Sequence, residues 1–236
     1  LPATWITESQ REQAEQAGYT VADVPSVLIT HIQELIRKRA PELLGRQEVQ
    51  TIITTVREAN AELVNEVIGP NAITAAAFQK ILQGLLAENV SIRNILLVLE
   101  ALAECVPEYV KDVDFMTEHV RTFLKHQISK QYLGIDNYIP AITLDPELEE
   151  LLINSLQRTE RGANFAIDPQ AAQNILQHTI DQIKVAQSSV SNPVILVTPG
   201  IRPFFKRFIE KYASGIPVLS YNEIVVEVRA VGMISV

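Results

Sequence analysis

A single cysteine, Cys105, leaves the 236-residue chain without an internal disulfide and without the thiolates of a multi-cysteine zinc site. Long apolar runs are missing too. The richest stretch, from Ile95 to Val106, is broken by Glu100 and Glu104 and falls short of the ~20 residues that a transmembrane helix needs. Positive charge is in deficit: Lys and Arg number 20 against 28 Asp and Glu, a net charge of −8, which argues against nucleic acid or an anionic membrane surface as a partner. The nine glycines are scattered, with no phosphate-cradling loop and no accompanying lysine. No leader pattern opens the chain, and Leu1-Pro2 is an unusual start, so a segment of a longer protein is expected. What remains is 47% hydrophobic and 20% charged, the profile of a folded globular protein.

Three regions separate by their hydrophobic period. In residues 1–44, Gly18 to Val21 reads as a short strand. A helix follows from about Pro25 to Ala40, striped by Val24, Val27, Leu28, Ile32, Leu35 and Ile36 and ended by Pro41. Residues 45–136 carry helical stripes throughout. The first is Val49, Ile52, Ile53, Val56, Leu63, Val64 and Val67, stopping at Gly69-Pro70. The second is Phe78, Ile81, Leu82 and Leu85. The third is Ile92, Ile95, Leu96, Leu99 and Leu102, capped by Ser91 and stopped by Pro107. The fourth is Met116, Val120, Phe123, Leu124 and Ile128. Four amphipathic helices with short connections predict a helical bundle, because each stripe must be buried against another.

In residues 137–236 the period changes. Strands are expected at Tyr138–Leu144, Pro193–Val197, Val218–Tyr221 and Ile224–Val231. Asp145-Pro146 and Asp168-Pro169 should cap two helices, and a third should run from Pro203 to Tyr212. The expected fold class is multidomain α+β and α/β: a central four-helix subdomain, a C-terminal α/β subdomain with a mixed sheet, and before them the tail of an incomplete α/β subdomain.

Residues with chemical potential are few. His119 and His126 lie two turns apart on one helix, about 10.5 Å, too far to chelate one metal unaided. Cys105 sits in an apolar setting and reads as a buried, inert thiol. The acidic groups Glu147, Glu149, Glu150 and Glu104, Glu108, Asp112, Asp114 read as solvated faces. Arg202, Lys206 and Arg207 share a helix surface opposite Phe204, Phe205 and Phe208, and are candidates for meeting a partner. No catalytic residue, metal ligand or cofactor site is expected. The competing reading is an α/β enzyme holding a small ligand near Thr198 to Arg202, at the end of a strand, where open sheets bind ligands.

Ordered along the whole chain are Leu1-Pro2-Ala3-Thr4-Trp5-Ile6, Gly18-Tyr19-Thr20-Val21, Thr30-His31, Glu42 through Gln50, Phe78 through Gln83, Asn89 through Asn94, Leu99 through Ala103, Thr143 through Glu147 and Val218 through Ile224. In these segments the chain resembles the cytosolic domain of the type III secretion export-gate family. Lys111-Asp112-Val113 with Glu118 to Arg121, and Arg158-Thr159 through Pro169, are more similar to its injectisome than its flagellar branch. The resemblance implies four subdomains, of which this chain would hold the tail of the first (1–44), the helical third (45–136) and the α/β fourth (137–236). It also implies a nonameric ring on the cytoplasmic face of the bacterial inner membrane, anchored through sequence that precedes this segment. Such a ring docks chaperone–substrate complexes, gatekeeper and stalk proteins, and is no enzyme. By the same resemblance Thr30, with His31, belongs to a chaperone-docking dimple, and Arg46, Gln47 and Glu48 are candidates for ring contacts.

Overall fold

The computed structural model describes residues 4–69, 72–105, 112–159 and 162–235, the last pair of segments joined by a hairpin of which 158, 159 and 162 are described by backbone alone. The expected stops at Pro70 and Pro107, the carboxylate of Glu108 and the Leu1-Pro2-Ala3 opening lie outside the described residues.

The N-terminal region holds α1 (Arg11–Gln16) and α2 (Val24–Lys38). No strand forms at Gly18. That glycine has φ +83°, and the bonds from Gly18 N to Glu15 O and from Tyr19 N to Ala14 O close α1 from its C-terminal side. A left-handed glycine ending a helix and a glycine opening a strand look alike in sequence. Asp23 caps α2 by accepting from Ser26 N, with Pro25 in the first turn. The helix ends at Lys38. Pro41 then sits in the first turn of a new short helix, α3 (Ala40–Leu43), instead of terminating the old one.

The helical body comprises α4 (Arg46–Ala59), α5 (Ala61–Val67), α6 (Ala75–Ala87), α7 (Ile95–Cys105), α8 (Val113–Phe123) and α9 (Lys125–Tyr132). The expected long first helix is two, broken at Asn60 (φ −137°, ψ 53°). Val56 and Leu63 are seven apart, so the break preserves the stripe and hides from periodicity. Similarly Leu124 divides α8 from α9. The third helix begins later than expected: Asn94 Oδ1, not the Ser91 hydroxyl, lies against Leu97 N (3.5 Å) at the start of α7. The buried face is accordingly Val98, Leu99, Ala101, Leu102 and Cys105, while Leu96 is 39% exposed and is not a core residue. Gln79 and Gln83 on α6 donate to Leu44 O, and Gln83 also to Pro41 O, fastening residues 40–44 to the helical body.

The C-terminal module runs β1 (Tyr138–Leu144), α10 (Pro146–Ser155), a hairpin of β2 (Leu156–Thr159) and β3 (Gly162–Phe165), α11 (Pro169–Ser189), β4 (Val194–Val197), α12 (Arg202–Ile209), β5 (Val218–Ser220) and β6 (Glu227–Ile234). Asp168 caps α11 through Gln170 N and Ala171 N; Asp145 precedes α10 without a side-chain cap. The sheet order is β5-β4-β1-β6 and every pairing in it is parallel. The antiparallel pairing is confined to the separate β2–β3 hairpin, so one mixed sheet is not what forms. The last strand starts at Glu227, three residues later than expected, because Tyr221–Glu223 makes a tight turn first.

A parallel sheet needs both faces covered. Successive crossovers from β1 to β4 to β5 move in one direction, which puts α10, α11 and α12 on the same face. There Ile142, Ile195, Val197 and Val218 pack with Leu148, Ile175 and Phe205. The other face carries Ile139, Ala141, Val194, Leu196 and Leu219, which belong to one continuous core with Phe78, Leu82, Val98, Leu102 and Met116 of the helical body. The helical body is thus the second covering layer of the sheet. Folding of the two modules is coupled through that shared core.

Candidate functional site

Where the helical body meets the sheet, five charged side chains are brought together. Arg121 on α8 is 1% exposed and grips Glu223 with two bonds, Nε to Oε1 and Nη2 to Oε2, both 2.9 Å. Arg202, the first residue of α12, is also 1% exposed. It meets Glu88 at the end of α6 through Nη1 (2.7 Å) and Nη2 (3.0 Å), reaches Val218 O at 3.2 Å, and pairs with Glu118 of α8 through Nε and Nη2. Arg121 Nη1 lies 3.3 Å from Glu88 Oε2 without forming a hydrogen bond. Forked guanidiniums suit this arrangement because each can serve two carboxylates at fixed angles. Arg202–Glu88, Arg202–Glu118 and Arg121–Glu223 all bridge the two modules.

Two positive and three negative charges leave one carboxylate in excess, and the titration directions follow. Burial pushes the Glu88 carboxyl upward, but Arg121 and Arg202 outweigh it and hold the group below its ordinary range. At Glu118 burial prevails over Arg202, so its carboxyl is raised. Arg202 stays charged, since Glu118 and Glu88 more than offset the desolvation that opposes its charge.

The basic strip expected on α12 is therefore consumed internally. Arg202 is buried and cannot meet a partner. Lys206 is nearly buried, donating to Ile216 O at 3.0 Å and pairing with Glu210. Arg207 is exposed, but it spans to Asp114 at 2.8 Å and covers the ring of Phe204. The sequence alone does not point to Glu88, Glu118, Arg121 and Glu223 as one cluster, because the hydrogen-bonded pairs Arg202–Glu118, Arg121–Glu223 and Arg202–Glu88 are 84, 102 and 114 residues apart. A charged residue inside a helical stripe, Arg121 beside Val120, was the one available signal.

Thr198, at the carboxyl end of β4, donates its N–H to Glu149 Oε1 at 2.7 Å, while its hydroxyl is buried without a hydrogen-bond partner. A cleft of about 1650 Å³ opens instead at the amino ends of β4 and β5, between residues 187–193 and 215–219 on one side and Leu86 to Arg93 with Tyr132 on the other. It lies opposite the usual ligand end of a parallel sheet. Burial, with the charge of Glu104, pushes the Cys105 thiol up to about 11, an unreactive setting. His119 stacks on Phe115 and meets Phe123 at a tilt. Among the described residues no group of three His, Cys, Asp or Glu gathers to hold a metal, and no helix is long and apolar enough to cross a membrane.

The family-derived candidates lie elsewhere and stay apart. Thr30 and His31 are exposed on α2, where Thr30 Oγ1 donates to Ser26 O at 2.8 Å. Arg46, Gln47 and Glu48 form the exposed first turn of α4, and neither Arg46 nor Glu48 has an ion pair among the described residues.

The two modules share one core and are bridged by buried ion pairs. The chain belongs to the FHIPEP family, whose profile matches residues 1–229, and members of that family are export-gate components of type III secretion, not enzymes. It is 34% identical over 238 residues to the flagellar biosynthesis protein FlhA of Bacillus subtilis, covering 100% of this chain and 35% of that protein. Among solved structures it is similar to the Chlamydia pneumoniae CdsV protein in complex with CdsO (TM-score 0.86, 29% identity, 98% of this chain and 67% of that one). It is also similar to the nonameric EPEC SctV-C (TM-score 0.79, 25% identity, 96% and 68%). The chain thus spans about a third of the length of the curated relative.

Proposed function

We propose that this chain is the cytosolic assembly and docking portion of a type III export gate: it joins a nonameric ring beneath an inner-membrane pore and receives chaperone–substrate, gatekeeper and stalk proteins. The observation carrying this reading is the family match across nearly the whole chain, together with the likeness to a relative that is itself nonameric. The CdsV–CdsO complex supports protein partners as the ligands. Members of this family are not enzymes, which weighs against the small-ligand alternative. Within this reading, residues 1–44 are the C-terminal part of an incomplete first subdomain, 45–136 and 137–236 are the third and fourth, and the injectisome branch is favoured by the segments around Glu118 and Asp168.

Arg46 and Glu48, without an ion pair among the described residues, are suited to cross-protomer pairing, where rim charges fix orientation more than affinity. Thr30 and His31 supply one edge of a chaperone-docking dimple on α2. The test is replacement of the corresponding segment of the full-length protein in its host, followed by measurement of type III export. Loss of export with retained expression is expected. Export at the normal level without this segment would end the reading. Arg46→Glu should lower the ring population of the complete cytosolic domain in sedimentation, and an unchanged profile would remove those residues from the ring contact.

A further inference from the structure

The inter-module cleft differs in charge from the rest of the molecule. Its lining contributes Arg37, Arg93, Arg121 and Lys206 against Glu88 and Glu210, a surplus of two positive charges in a chain of net charge −8. Arg121 is spent on Glu223, Arg202 behind the wall pairs with Glu88, and Lys206 pairs with Glu210, so the charge left for a ligand is that of Arg37 and Arg93. Arg37 and Arg93 are exposed at the cleft and have no ion pair within the described residues. At its inner wall Arg121 Nη1 is closed off from solvent with no hydrogen-bond acceptor, leaving an unsatisfied donor behind the cleft surface.

Shape restricts what can fill this space. The cleft exceeds the ~300–1,000 Å³ of small-molecule sites, and its lining includes both apolar residues (Val90, Ile92, Pro193) and short polar ones (Ser91, Ser189, Asn192). An extended chain places its side chains alternately on two sides and suits such a surface, with acidic groups towards the arginines and apolar groups towards the wall.

We propose that the cleft between the helical body and the amino ends of β4 and β5 is a docking site for an extended acidic segment of a partner protein, held by Arg37 and Arg93. This deepens the docking reading above and rests on it for its purpose. The two can nevertheless fail separately, since peptide binding is measured on the 236-residue chain and export in the cell.

The probe is a fluorescein-labelled 12-residue peptide alternating Asp or Glu with Val or Leu; its controls carry Asn and Gln, or Lys, at the acidic positions. Fluorescence anisotropy at low salt should register the acidic peptide alone, with affinity falling as salt is raised because the exposed arginines are screened. The double variant Arg37→Glu with Arg93→Glu should weaken binding by about tenfold or more, as expected for reversed rim charges. Lys211→Glu, outside the lining, should not. Both arginines are exposed, so circular dichroism should remain that of the parent. Equal binding of the neutral or basic peptide, an unaffected double variant, or no binding of the acidic peptide at millimolar concentration would each overturn the proposal. So would a salt-dependent dimer that binds no peptide, which would make a second copy the occupant.

Discussion

Helices α2 and α6 carry comparable apolar stripes, yet one buries nothing and the other supplies the centre of a core. On α6, Phe78, Ile81, Leu82 and Leu85 are essentially inaccessible. On α2, Val27, Leu28, Ile29, Ile32, Leu35 and Ile36 remain 41–56% exposed. A stripe announces that a helix wants a partner; it does not announce that the partner is within the same segment of chain. α2 is held by its own caps and backbone, whereas α6 is held by α3, α4 and α8 around it.

That contrast can be pressed by mutation. The largest effect belongs to Phe78→Ala, which should cost about 3–5 kcal/mol in urea unfolding because it empties a fully packed site. Arg202→Ala should cost a similar 3–5 kcal/mol or so by stranding Glu88 and Glu118 in the interface. Arg202→Lys should recover little of it, since an ammonium cannot serve two carboxylates in a fork. Melts unchanged by either replacement would mean that the modules are held by the shared core alone. At the small end, Leu96→Ala should cost well under the ~2–5 kcal/mol of a core leucine. Ile32→Ala should fall within about 0.5 kcal/mol in this chain. The same Ile32→Ala in a longer version of the protein, where sequence beyond this segment is present, would reveal by a larger loss that the α2 stripe is covered there.

The interface acids give a graded test in pH. Glu88 has a lowered native pKa, so its contribution is complete above the unfolded value of about 4.3 and is lost as pH falls through the lower native one. Glu118 has a raised native pKa, so its contribution runs the other way: it is present at low pH and lost as pH rises through the raised value. Glu88→Gln should therefore flatten the acid decline of stability, and Glu118→Gln should steepen it. Parallel changes in both variants, followed by thermal melts from pH 3 to 7, would show that the two carboxylates share one environment.

Local signals were readable in advance where the chain's own chemistry fixes them. Asp168-Pro169 opens α11 through a carboxylate cap, and Pro25 sits in the first turn of α2. The stripes of α6 and α8 are buried as their spacing requires. The run Val194–Val197 is covered on both faces, as a continuous apolar strand should be. Misreadings occurred where two structures share one pattern. Gly18 ends a helix instead of opening a strand, Asn60 interrupts a stripe without disturbing its spacing, and a later start turns Leu96 outward. The α12 basic strip was legible as a strip but not in its use, because the carboxylates that occupy it arrive from α6, α8 and the turn after β5.

The sequence by itself determined which segments coil, which extend and where they are capped, for those preferences act between residues three or four positions apart. Tertiary structure alone decided that the helical body serves as the second cover of a parallel sheet, that Arg121 and Arg202 are sealed among Glu88, Glu118 and Glu223, and that α2 is left bare. The physical reason is range. Backbone propensity and periodicity are satisfied locally, while desolvation and charge pairing depend on whichever distant groups the completed fold brings into contact.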